Sequence, residues 1–229
     1  MKKALLGLIL FFLSISNIDA HTSHYKGIKV IKMEIFRNGN LIGYSNYFFT
    51  HGKNTLEVKN YTQFKVKLFN VVIFSISGEA LEKYENDKLI NYNSVTFQND
   101  KEKYVKLKYD KLNDKLIIDG SSYKGKASPG AIIGNWWNHK ILKVDKQISP
   151  ISGSIKKQVV KFIGAENIQI NKKNYILDHY KLLSSDNNLP DDKKLDFDIW
   201  INTKNNLIYK VSYNRLGKWE YRIKNFEIN

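Results

Sequence analysis

The chain has 229 residues, a formal charge of +15 and no cysteine. Its 42% hydrophobic and 13% aromatic content supports a packed core and excludes a disordered chain, and its length fits one large β domain or two small ones. Without cysteine there are no disulfides, no thiol catalysis and no lipid anchored through a cysteine, so stability has to come from burial alone.

The N-terminus has the makeup of a secretory signal. Lys2 and Lys3 precede an apolar run, Leu5 to Leu13, that is short for a bilayer span, and the small residue Ala20 stands where a signal peptidase would cut. The sequence therefore predicts a signal peptide over 1–20, a single all-β domain over 21–229, and a periplasmic or secreted bacterial protein. The excess charge is almost entirely lysine, since arginine occurs only at Arg37, Arg215 and Arg222. Nucleic-acid sites favour the arginine fork, whereas these lysines alternate with apolar residues as on a solvated sheet face, so no nucleic-acid partner is expected. Contact with an anionic membrane is expected to be peripheral at most.

Tyr25 to Phe36 alternates, with Ile31, Met33 and Ile35 on one side and Lys32 and Glu34 on the other. Arg37-Asn38-Gly39-Asn40 is a hairpin turn, and Leu41 to Thr50 returns beside it. Thr55 to Phe69 predicts a longer strand broken at Asn70. The following Val71-Val72-Ile73-Phe74 reads as a run buried on both faces or packed across a bend. That strand continues to Tyr84, Glu85 to Lys88 turns, Leu89 to Gln98 returns, and Asn99-Asp100 turns again. Val105, Leu107 and Tyr109 alternate with Lys106 and Lys108, and turns at Lys111 to Asp114 and Asp119-Gly120 flank Leu116 to Ile118. This first half is an up-and-down meander of roughly six to eight strands.

After Ser128-Pro129-Gly130, the apolar stretch Ala131 to His139 predicts one or two helical turns that push the tandem Trp136-Trp137 into the mouth or core of the sheet. Ile141 to Ile148 reads as extended, and Lys157 to Ile163, Ile168 to Ile170 and Tyr175 to Leu183 as strands. Ser184 to Lys193, with Pro190, reads as a loop. Three strands close the chain. Phe197, Ile199 and Ile201 share a face opposite Asp196, Asp198 and Trp200, and Leu207 to Tyr213 alternates. In the last strand Trp219, Tyr221 and Ile223 point in before the phase shifts at Phe226 and Ile228, as at a bulge. No helix is long enough to cover the sheet. The expected fold is an all-β antiparallel meander forming a strongly curved open sheet or incomplete barrel, with a short central helical insert.

Several of these stretches together resemble an uncharacterised bacterial exported family, the domain of unknown function DUF6134. Phe36-Arg37-Asn38-Gly39-Asn40-Leu41-Ile42-Gly43 is similar to its opening hairpin and Glu82 to Leu89 to its second turn. Trp136-Trp137-Asn138 is similar to a central aromatic-Trp-Asn element, and Asp198-Ile199-Trp200 to Tyr221-Arg222-Ile223 resembles its closing strands. The resemblance implies a periplasmic β-sheet protein, distantly similar to the curved open barrels of the LolA and LolB lipoprotein carriers. It implies no activity and no catalytic residues.

Chemistry-bearing patterns are sparse. There is no Gly-x-Ser-x-Gly, no glycine-rich phosphate loop and no His-Glu-x-x-His, so neither a catalytic residue nor a cofactor is expected. The acidic residues Asp186, Asp191, Asp192, Asp196 and Asp198 lack the glycine and closing glutamate of a calcium loop. An N-terminal His21, exposed by cleavage after Ala20 and aided by His24, would offer a copper site against the plainer reading of a solvated tail. Aromatics with a polar handle make pocket walls, so an apolar or amphipathic ligand such as a lipid is expected at Trp136, Trp137, Asn138, Trp200, Tyr213 and Tyr221. The competing readings are a core plug at the Trp pair, a scaffold of the cell envelope, an outer-membrane barrel, or an enzyme with an unrecognised site. Trp136, Glu82 and Asp198 are the positions whose substitution separates binding from catalysis.

Overall fold

The computed structural model describes residues 25–228. Residues 1–20, expected to be a signal peptide, and both N-terminal histidines, His21 and His24, lie outside the described residues. Fifteen strands form a single sheet. The first half comprises β1 (Ile28–Arg37), β2 (Asn40–His51), β3 (Thr55–Leu68), β4 (Val71–Glu85), β5 (Lys88–Gln98), β6 (Lys101–Asp110), β7 (Lys115–Gly120) and β8 (Tyr123–Ala127). The second half comprises β9 (Ile132–Ile133), β10 (Lys146–Ile148), β11 (Ile155–Ile170), β12 (Lys173–Ser184), β13 (Asp196–Asn202), β14 (Leu207–Asn214) and β15 (Lys218–Ile228).

Each half is a meander, and the halves join where β1 pairs antiparallel with β15, so the sheet runs from β8 through β1 and β15 to β9. All pairings are antiparallel except β9 with β10. The chain passes from one sheet edge to the other through Ser128-Pro129-Gly130-Ala131 alone. So few residues reach at most about 17 Å, which requires the sheet to curl until its edges almost meet. The gap is filled by packing rather than by a ladder. Ser122 donates its backbone N–H to the Ser152 carbonyl at 3.1 Å, and Gly153 lies against Ile118 and Gly120.

Short turns keep the register. Asn38-Gly39, Phe69-Asn70, Asn86-Asp87 and Asn171-Lys172 all take positive φ at both central positions, the geometry of two-residue hairpins. The phase shift expected in β15 is a bulge at Lys224, because Lys32 faces Asn225 while Met33 faces Ile223. The two strand segments expected at 157–163 and 168–170 merge into the 16-residue β11.

Two local expectations are corrected. The helical turn falls at His139–Lys143, as a 3-10 turn, and Ala131 to Asn138 is instead non-helical, the short strand Ile132–Ile133 followed by a bend at Trp136-Trp137. The Asn138 side chain accepts the Lys140 N–H at 3.0 Å and so starts the turn after the tryptophans rather than before them. Val71-Val72-Ile73 is not buried: it is exposed at the tip of the β3–β4 hairpin, where no neighbouring strand reaches.

Strand alternation sends one face of every strand inward. The inner face is apolar at one end, around Tyr25, Phe49, Val58, Tyr84, Leu107, Leu116 and the fully buried Trp137. It is apolar again near the opposite end, around Ile35, Phe64, Val66, Ile76 and Trp219. Between these clusters the same face turns polar.

Candidate functional site

The polar belt is a cross-strand row set by register. Ser45 of β2 faces Thr62 of β3, Thr62 faces Gly78 of β4, and Gly78 faces Thr96 of β5. One pair further down, Tyr47 faces Asn60, Asn60 faces Ala80, and Ala80 faces Ser94. Ser45 and Thr62 share a 2.7 Å hydrogen bond, and Asn60 donates to Ser45 Oγ at 3.1 Å. Small residues at 78 and 80 leave room above the strand, and the result is a cavity of about 120 Å³. Its far wall is the stretch Ile133-Gly134-Asn135-Trp136 with Pro150, Ile151 and Tyr221.

Glu82 sits at the floor of this cavity, 2% exposed. Continuing the inward phase of Ile76, Gly78 and Ala80, it places a carboxyl where an apolar residue would be expected. Three donors hold it: Asn135 Nδ2 at 2.6 Å and Trp137 Nε1 at 3.0 Å on Oε1, and the Tyr84 hydroxyl at 2.7 Å on Oε2. Burial pushes its pKa up to about 7, and these three hydrogen bonds pull the other way without cancelling it. Burial likewise raises the Tyr47 phenol to about 12; its oxygen accepts the Trp136 N–H at 3.4 Å.

Asn135 spends its amide N–H on Glu82, and its Oδ1 is buried without a hydrogen-bond partner among the described residues. A buried acceptor left this way costs about 1–3 kcal/mol. Gly134 beside it is required by close approach, since a Cβ there would fall 1.7 Å from Gln147 Oε1.

The cavity shares Gly134, Trp136, Pro150, Ile151 and Tyr221 with a wider, more open vestibule of about 560 Å³. The vestibule is floored by Phe197 and Tyr213 and rimmed by the loop 191–195 and Arg215. Trp136 stands at the shared wall, edge-on to Phe197 with centroids 5.0 Å apart and 6.2 Å from Tyr221. Phe197 continues the aromatic row to Tyr213 at 5.3 Å. Arg215 holds the rim by donating to the carbonyls of Asp191 and Asp192.

The six residues expected to line a ligand site divide into three groups. Trp136, Tyr221 and Tyr213 come together at the neck and vestibule. Trp137 and Asn138 are buried behind that wall: Trp137 packs edge-on against Tyr25, Phe49 and Tyr84, and Asn138 caps the 3-10 turn. Trp200 is on the outer face of the sheet, in phase with Lys210 and His179. It stacks on His179 at 4.5 Å, donates to Glu166 Oε2 at 2.8 Å, and lies under Lys210 Nζ at 4.6 Å. Asp198 joins this outer network through His179 Nε2 at 2.9 Å and Lys181 Nζ at 2.9 Å.

The sequence reading missed Asn135 and the inward direction of Glu82. The one signal available was phase: Glu82 occupies the inward register of Ile76, Gly78, Ala80 and Tyr84. Among the described residues, no group of three or more His, Asp or Glu is arranged to hold a metal ion. No helix among them is long and apolar enough to cross a membrane.

The profile of the domain-of-unknown-function family DUF6134 matches residues 33–224. The chain belongs to that family. No curated protein sequence matches this DUF6134 chain. Among solved structures it is similar to the crystal structure of a β-barrel-like protein of the domain of unknown function DUF1849 from Brucella abortus. The TM-score is 0.57 and the identity 8%, over 89% of this chain and 98% of that one. At that identity the likeness is one of fold: the DUF6134 sheet is β-barrel-like.

Proposed function

We propose that this DUF6134 protein is exported and acts as a non-enzymatic binder of an amphipathic small molecule. The polar end of the ligand enters the Glu82–Asn135 cavity, and its apolar part lies along Trp136, Tyr221, Phe197 and Tyr213. The observation that carries this reading is a small polar cavity, lined by the buried Glu82 and Asn135, that opens past an aromatic neck. The Asn135 Oδ1 has no partner among the described residues and only accepts, so a polar end that reaches it donates, as an alcohol or an amine does. A cavity of about 120 Å³ admits a headgroup of a few heavy atoms and not a lipid chain, which leaves the apolar part to the vestibule. Within the cavity there is no nucleophile activated by a base, which favours binding over turnover.

Native mass spectrometry of protein purified without detergent, followed by organic extraction, tests this directly. A stoichiometric amphipathic molecule with a hydroxyl or amino end, lost on Trp136→Ala and on Asn135→Leu while folding is kept, is the expected result. Retention of the same molecule by both variants would place the ligand elsewhere and end this reading. An unliganded protein that stays unliganded when offered long-chain alcohols and amines would favour an envelope scaffold. The measured mass also reports whether residues 1–20 have been removed.

A further inference from the structure

We infer that the tip of the β3–β4 hairpin docks the protein onto an anionic lipid surface. The last residue of β3 paired to β2 is Phe64, and the last of β4 paired to β5 is Ile76. Beyond them, apart from the Asn99 contacts at Ser75, Lys65 to Phe74 pair only with each other. The ribbon therefore runs about 13 Å past its last strand partners, at roughly 3.3 Å per residue from Phe64 to Leu68, with Val66 still packed on Ile35 and Trp219.

Its foot and its tip are built differently. At the foot, Phe64, Val66, Ile76 and Trp219 form a buried cluster, with Phe64 packed on Phe74 and Trp219 at 5.9 and 5.4 Å. At the tip, Leu68, Phe69, Val71, Val72 and Ile73 are all exposed, Phe69 by 92%. Asn70 is the single polar residue among these six. Phe69 also takes φ 47°, a left-handed backbone that costs a bulky aromatic residue energy. Solvent gives no return for an aromatic side chain held there, whereas an apolar medium does.

Charge identifies that medium. A groove at the ribbon's side is lined by Arg37, Lys65 and Lys67 together with Leu41, and by no carboxylate. Among the described residues Lys65 and Lys67 have no acidic partner. Cations set one and three residues before an apolar tip meet headgroup phosphates while the tip reaches the acyl boundary. An apolar protein partner would leave those cations uncompensated. The turns at 38–39, 99–100 and 215–217 and the vestibule rim lie at the same end of the barrel, by the alternation of strand direction. Docking by this tip turns the vestibule toward the membrane. The docking itself does not depend on what the cavity binds.

The test is flotation of the protein, as its host cell processes it, with vesicles of equimolar phosphatidylglycerol and phosphatidylcholine and with phosphatidylcholine alone. We expect association with the anionic vesicles, weakened by salt, reduced roughly tenfold or more in Phe69→Ser/Val72→Ser, and weakened in Lys65→Gln/Lys67→Gln. Because the chain has no cysteine, Asn70→Cys carrying an environment-sensitive dye reports the tip alone, and a blue shift on vesicle addition is expected. Unchanged thermal unfolding of the variants shows that the fold is kept. Absence of flotation, or equal flotation of the tip variant, overturns the inference. So does a dimer that the tip substitutions dissolve without any vesicle binding, which would make the occupant a second copy of the chain.

Discussion

Trp137 Nε1 donates to Glu82 Oε1 at 3.0 Å, joining positions 55 residues apart in sequence at the centre of the barrel. The bond ties the segment that follows β9 to the C-terminal part of β4, and Asn135 repeats the tie from two residues earlier. One carboxyl thus fixes the wall of the cavity.

The elevated pKa of Glu82 makes this arrangement pH-dependent. Its folded value, about 7, exceeds the value of about 4.3 for an unperturbed glutamate. Between those values the folded state binds more protons than the unfolded state, so stability falls as pH rises. The contribution is complete below about 4.3 and lost as pH passes through 7. Glu82→Gln removes this dependence. Urea unfolding at pH 5 and pH 8 should show the wild type losing on the order of 2–3 kcal/mol more than Glu82→Gln across that interval. Parallel pH profiles for the two proteins would contradict this.

Glu220 predicts the opposite sign. Burial acts to raise its pKa, but the Arg222 hydrogen bond and the nearby Lys210 charge outweigh it and hold the carboxyl at about 2. Its stabilising contribution is present above the unfolded value and disappears as pH falls from about 4.5 through 2. With the ion pairs partly solvated, the size is about 1–2 kcal/mol. Acid titration followed by circular dichroism should show Glu220→Gln less sensitive than wild type between pH 4.5 and 2, with both alike in their response above pH 5 apart from the shared Glu82 slope.

The adjacent tryptophans should behave differently. Trp137 is fully buried against three aromatic rings and bonded to Glu82, so Trp137→Ala should cost about 3–5 kcal/mol in chemical unfolding. Trp136 is half-buried at the neck, and Trp136→Ala should cost about half that or less while abolishing ligand retention. Equal destabilisation by the two would mean that Trp136 is a core residue and not a neck.

These residues show where the fold was legible in sequence. Hairpins with Asn-Gly or Asn-Asp at the turn, and strands whose lysines alternate with apolar residues, announce both register and face, and the meander follows from them. Position 137 could not be told from 136 because a stretch without periodicity does not say which side faces the core. Residue type alone makes Trp200 a pocket candidate, whereas its phase with Asp198 and opposite Ile199 puts it on the other face. Val71 to Ile73 read as buried because apolarity normally means burial. The register shows instead that no strand extends far enough to cover it. The Glu82–Asn135 pair joins two distant segments, and no local pattern contains it.

Gly78 offers a test of the cavity that leaves its polar groups in place. It lies mid-strand on the inner face between Thr62 and Thr96, and a Cβ there would meet Thr96 Oγ1 at 2.8 Å. The absence of a side chain at this point is what opens the belt into a cavity. In a strand interior that absence is unfavourable for backbone entropy. Gly78→Val gains strand propensity and introduces a clash that rotation of the Thr96 side chain relieves in part, so stability should change by no more than about 1–2 kcal/mol in either direction. The added methyl groups occupy the space between Thr62 and Thr96, and the headgroup of any ligand is displaced. The expected outcome is a protein that unfolds at nearly the wild-type urea concentration and carries no ligand in native mass spectrometry. Full occupancy in Gly78→Val would show that the ligand never enters the polar belt and is held by the vestibule alone.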